Sequence, residues 1–130
     1  MLQNYKAFSG FSVDDINVAK NFYQEKLGLE VNHDDSTGMI MLGLNLNGCN
    51  VMVYPKPDHR PATYTVLNFE VKDLDKIVID LTNKGVKFEQ YKNEYVATEP
   101  TGIARGNGSG PDIAWFKDPA GNIMALLSQP

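Results

Sequence analysis

The sequence has one cysteine, one tryptophan, two histidines and no cluster of lysine or arginine, and each scarcity removes a class of explanation. With Cys49 alone there is no internal disulfide, so the fold must rest on packed side chains. No apolar run approaches the roughly 20 residues that a membrane-spanning helix needs. Met1 to Lys6 carry neither the basic start nor the apolar stretch of a secretory signal, which makes the cytoplasm the expected location. A net charge of −4 without a basic patch argues against nucleic acid and anionic membrane as partners. Carboxylates are missing from two stretches that matter below: none stands between Ser36 and Pro57, and none follows Asp118.

What is present suffices for one domain over residues 1–130. At 42% hydrophobic content, a chain of this size buries roughly two thirds of the surface its unfolded form exposes. The chain also repeats itself. Phe11-Ser12-Val13-Asp14-Asp15 runs into an apolar-periodic segment ending at Gly28, and 58 residues later Phe69-Glu70-Val71-Lys72-Asp73 runs into another ending at Gly85. Two copies of this length mean a paired module, since a solenoid needs three or more.

In the first copy, Lys6 to Val13 reads as a strand, and Asp14 or Asp15 as the cap of a helix reaching Leu27. Ile16, Ala19, Phe22, Tyr23 and Leu27 form its apolar face, and Gly28 is placed to end it in a left-handed conformation. Strands follow over Leu29 to Asp34, Met39 to Leu46 and Cys49 to Tyr54, with turns at Ser36-Thr37-Gly38 and Asn47-Gly48. The latter suits a type I′ hairpin because both residues tolerate positive φ. Pro55 to Pro61 holds three prolines in seven residues and reads as the connection between copies. The second copy offers a strand over Tyr64 to Val71 and a helix capped by Asp73, with Leu74, Ile77, Val78 and Leu81 on one face. After it come strands at Lys87 to Gln90, Asp112 to Lys117 and Ile123 to Ser128. The stretch before Gly110, with glycines at 102, 106, 108 and 110, reads as a mobile loop. Each copy is thus βαβββ, module one over about 1–57 and module two over about 62–130.

These residues resemble a known family: the glyoxalase, bleomycin-resistance and extradiol-dioxygenase proteins, also called the vicinal oxygen chelate superfamily. The likeness is carried by the repeated strand, Asp and helix pattern, by Asn21-Phe22-Tyr23 with Lys26-Leu27-Gly28-Leu29-Glu30-Val31, and by Trp115-Phe116-Lys117-Asp118-Pro119-Ala120-Gly121-Asn122. It implies an α+β fold in which two βαβββ modules form a curled mixed sheet around a cleft, usually in a homodimer. It also implies where metal-dependent members hold their cation. The first ligand lies seven residues before the Asp that opens each helix, and the last four residues after the glycine of the Asp-Pro turn. Carried onto this chain, those positions are Phe8, Val66 and Ala125, with the remaining one at or beside Met52. None can ligate a hard cation, so no metal and no cofactor is expected, and the cleft is expected to have an apolar floor.

Strand alternation places Gly10, Ser12, Tyr54, Asn68, Glu70, Ile123 and Leu127 on the same faces as those four residues. Asn68 is a candidate polar anchor for a ligand. Glu70 is the one carboxylate of the set: either a general base or a solvated rim residue. Trp115 either stacks on a planar ligand or closes the core. Arg105 is either a flap over an anionic group or an ordinary loop arginine, and His59 either titrates in a functional setting or is solvated. Cys49 reads as a buried, inert thiol. The expected function is metal-independent binding of a small apolar or aromatic molecule, of the kind that sequesters antibiotics. The alternative is a lyase, isomerase or dioxygenase of the same superfamily, cofactor-free or using a displaced metal.

Overall fold

Burial along the first strand shows how the modules are built. In β1 (Ser9–Val13), Phe11 and Val13 are buried while Gly10 and Ser12 lie on the opposite, more open face. The structure is a computed structural model and describes every residue except Thr37, Met39 and Pro130. Its contacts divide the chain into two units, Met1–Pro61 and Ala62–Pro130, each described by itself below.

In the first unit, Asp15 is the cap. Its carboxylate accepts from the amides of Asn17 and Val18 at 3.0 and 3.1 Å, satisfying two donors that the first helical turn leaves free. Helix α1 (Ile16–Asn21) widens into a π-helical turn (Phe22–Lys26) and stops at Gly28, whose φ of 67° lies in the left-handed region. Tyr23 is fully buried, with ring contacts to Phe11 and Phe22 at 6.1 and 5.3 Å. Strands β2 (Glu30–Asp34), β3 (Met41–Leu46) and β4 (Cys49–Pro55) complete a sheet in the order β1-β4-β3-β2. β1 runs parallel to β4, and the other neighbours are antiparallel. Asn47 and Gly48, at φ 51° and 90°, make the two-residue hairpin between Leu46 and Cys49. Leu42, Leu44, Val51 and Val53 bury the face shared with Val13, each contributing roughly 1.5–3 kcal/mol. The expected turn at Ser36-Thr37-Gly38 and the start of the apolar run at Met39 lie partly outside the described residues.

The second unit repeats the plan with two departures. β5 (Thr65–Val71), helix α2 (Leu74–Asn83), β6 (Ile103–Ala104), β7 (Ile113–Lys117) and β8 (Ile123–Ser128) give the order β5-β8-β7-β6, again with one parallel pair. Asp73 does not cap α2 through its side chain. Its backbone is left-handed, at φ 53°, which turns the carboxylate away from the first-turn amides, while its carbonyl still accepts from Ile77. Lys87 to Gln90 is not a full strand. Phe88 bridges Phe116 and Glu89 donates to the Trp115 carbonyl, while Ile103–Ala104 takes the paired edge of β7 farther along. Phe88, Ile103, Phe116, Met124 and Val78 are the buried centre of this unit. The architecture is α+β: two four-stranded mixed sheets, each open, with two α-helices.

Candidate ligand-binding faces

In the first unit the register sets Gly10 beside Met52 and Met52 beside Gly43, with Ser12 beside Tyr54 one step on. A Cβ at Gly10 would come 3.0 Å from the Met52 carbonyl oxygen, so glycine fits where β1 and β4 approach. The two glycines leave Met52 standing above a low strip. A groove of about 750 Å³ lies beside it, lined by Phe8, Gly43, Cys49, Asn50 and Met52 among others. Phe8 lies just before β1, not within it, and is 71% exposed, so the strand ladder does not fix its orientation. Cys49 corrects the expectation of a buried thiol: it opens β4 directly after the hairpin and is exposed. At the other end of the strip, the Ser12 hydroxyl and His59 Nδ1 are 2.6 Å apart.

In the second unit Asn68 and Trp115 flank Ala125 from neighbouring strands. Ala125 is 1% exposed, giving a small, apolar centre between an amide and an indole. Tyr91 stands edge-on to Trp115, ring centres 5.5 Å apart, and burial followed by the Glu89 charge pushes its phenol above the usual range. Glu70, Leu127 and Ile113 form the next row. Glu70 is exposed and lines a pocket of about 440 Å³ with Gly110, Pro111 and Gln129. Val66 falls where the β5–β8 register shifts between Thr65 and Leu67, so regular alternation does not set its direction.

Arg105 is engaged by three carboxylates of its own unit. Its guanidinium donates to Glu99 at 2.6 Å, to Asp75 at 2.6 and 3.1 Å, and to Asp112 at 3.1 Å. It fastens the glycine-rich segment to the start of α2. Asp75 is held below the usual carboxylate range by Arg105, and Asp112 by the Gly106 amide and then by Arg105. Asp118 orders the Asp-Pro turn, accepting from the amides of Ala120 and Asn122 at 2.9 Å each and from the Asn122 side chain at 3.0 Å.

Phe8, Val66, Ala125 and Met52, the residues at or beside which the resemblance puts the family's ligands, do not fit a cation: a phenyl, an isopropyl, a methyl and a thioether group offer no hard donor. Among the described residues, no three His, Cys, Asp or Glu side chains come together elsewhere as candidate ligands. No helix among them is long and apolar enough to cross a membrane. Two features escaped sequence reasoning as site elements. Tyr91 lies in a segment without periodicity, and the Ser12–His59 pair joins residues 47 apart.

Comparison with known proteins agrees with this architecture. The family model described as Glyoxalase/Bleomycin resistance protein/Dioxygenase superfamily matches residues 8–126. No curated protein sequence matches the chain. Among solved structures, the fosfomycin resistance protein FosX from Listeria monocytogenes superposes with a TM-score of 0.70 at 15% identity, over 97% of this chain and 93% of that one. A glyoxalase family protein from Enterococcus faecalis gives 0.67 at 22% identity, over 98% and 99%. TnmS3, an antibiotic binding protein from Streptomyces sp. CB03234, gives 0.66 at 23% identity, over 97% and 98%. At these identities the likeness concerns the fold.

Proposed function

The chain belongs to the glyoxalase/bleomycin resistance protein/dioxygenase superfamily, and from that premise we propose that it binds a small apolar or aromatic molecule without metal and holds it by sequestration. What supports this reading is that the positions the resemblance assigns to the family's ligands hold Phe8, Val66 and Ala125, with the fourth at or beside Met52, in a chain whose fold is intact. Donor loss removes the means of chelating vicinal oxygens, while the apolar surfaces that accept a ligand's body remain. Trp115, edged by Tyr91, offers a flat face for a planar ring, the buried Ala125 gives that face an apolar centre, and Asn68 supplies one polar anchor. Phe8, Met52 and Tyr54 add a second apolar surface on the first unit. In this reading the protein works as a cytoplasmic homodimer with no cofactor.

The test is a thermal-shift screen followed by calorimetry, using aromatic and cationic antibiotics such as bleomycin and an anthracycline. Saturable binding of unchanged compound is expected, weakened at least tenfold by Trp115→Ala. Turnover of a compound without stoichiometric binding would overturn sequestration. Elemental analysis of protein purified without chelator addresses the displaced-metal alternative: stoichiometric Ni, Zn, Fe, Mn or Co would establish it.

A further inference from the structure

We propose that Ser12 and His59 form a nucleophile–base pair that transfers acyl groups from activated esters of small apolar acids. The two side chains meet at 2.6 Å across 47 residues of sequence, the separation expected of a hydroxyl whose proton is taken by an imidazole. In the tautomer that carries its proton on Nε2, His59 Nδ1 accepts from the serine hydroxyl.

The pair is fixed by backbone geometry on both sides. Val13 pairs with Pro55, the Lys56 amide donates to the Val13 carbonyl at 2.9 Å, and the His59 amide donates to the Lys56 carbonyl at 3.0 Å. Pro55, Pro57 and Pro61 restrict the backbone around the imidazole. Burial does not require the bond, because Ser12 and His59 are both half-buried and water can reach such groups. The pair is therefore held in place without being sealed into the core.

The surroundings define the substrate. Tyr54 is the register partner of Ser12 on the adjacent strand, so both side chains leave the same face of the sheet, and in the proposed reaction the phenol has the role of donor to the oxygen that becomes negative during attack. The Gly10–Met52–Gly43 strip continues from the pair and accepts a small apolar acyl chain. In the reaction, Ser12 Oγ bonds to the ester carbonyl carbon as its proton passes to His59 Nδ1. The bond to the leaving oxygen breaks, and His59 returns the proton to it. Water then attacks the acyl-serine through the same base, releasing the acid and restoring the hydroxyl. No redox partner is needed. This activity stands independently of antibiotic sequestration, since either can fail while the other holds.

The experiment treats the full chain with a fluorophosphonate probe, which forms an oxygen–phosphorus bond with loss of fluoride, and locates the adduct by peptide mass spectrometry. Hydrolysis of p-nitrophenyl acetate and butyrate is followed alongside. The expected result is an adduct on Ser12, absent from Ser12→Ala, with labelling and hydrolysis slowed about 100-fold in His59→Gln. Tyr54→Phe should slow both by at least about tenfold while the adduct stays on Ser12. The adduct site in the unaltered chain decides the matter even if a variant fails to fold: no adduct, or one on another residue, overturns the proposal. A Ser12 adduct formed at an unchanged rate in folded His59→Gln overturns it equally.

Discussion

Replacing Ala125 by glutamate installs the type of residue that the family resemblance assigns to metal-dependent members here, and the structure predicts that the chain rejects it. Ala125 is 1% exposed and flanked by Asn68 and Trp115 on neighbouring strands. Forcing a longer side chain into such a site costs about 1–3 kcal/mol. Keeping the new carboxyl neutral at pH 7 adds about 1.4 kcal/mol for each unit its pKa must rise above roughly 4.3, or about 3.7 kcal/mol. The sum, about 5–7 kcal/mol, is comparable with the whole stability of many domains, and corresponds to a fall in Tm of about 20 °C. Ala125→Gln separates the parts, because it carries the steric cost without the charge. Since burial raises the folded-state pKa of the introduced carboxyl, the extra penalty of A125E over A125Q is present at neutral pH and vanishes below about pH 4, where the unfolded carboxyl is protonated too. Thermal and urea unfolding at pH 7 and pH 4 measure this. If both variants lie within about 0.5 kcal/mol of the parent at pH 7, position 125 is roomy and wet, and the apolar-centre argument fails.

Arg105→Met should lower Tm by about 4 °C, a shift set by roughly 1 kcal/mol because the ion pairs are partly exposed. Asp75 and Asp112 are held below the usual carboxylate range, so the arginine's contribution is full above about pH 5 and disappears as pH falls through their folded-state values. Denaturation of both proteins across that range checks the sign. Gly102→Ala should cost about 2–4 kcal/mol, since φ is 99° and the added Cβ would stand 2.6 Å from Phe88 Cβ; equilibrium urea unfolding reads it. Asp118→Ala removes the acceptor of three hydrogen bonds in the buried Asp-Pro turn, costing about 2–3 kcal/mol, whereas Asp118→Asn should recover part of the loss; calorimetric Tm values distinguish the two.

Much of the fold was legible because its signals are local. Asp15, Gly28 and Asn47-Gly48 act within their own turns, and each does what its residue type suggests. The Asp73 cap misled because an aspartate tolerates the left-handed backbone that points its carboxylate away. Cys49 misled because its exposure depends on where β4 emerges from the hairpin, which its residue type does not report. Within each sheet, alternation follows from strand period, so Gly10 could be matched with Met52, and Asn68 with Ala125, in advance. Pairings between distant segments could not. Arg105 finds Asp75 across 30 residues, and Ser12 finds His59 across 47, with no periodicity linking either pair.

The most direct measurement of the central claim is a calorimetric titration of the tightest-binding antibiotic from the screen into protein dialysed against chelator, repeated after adding Zn²⁺, Mn²⁺ and Ni²⁺. The account predicts the same saturable affinity in every titration and a weakening of at least tenfold in Trp115→Ala. Binding that disappears with chelator and returns with one of the metals would contradict it.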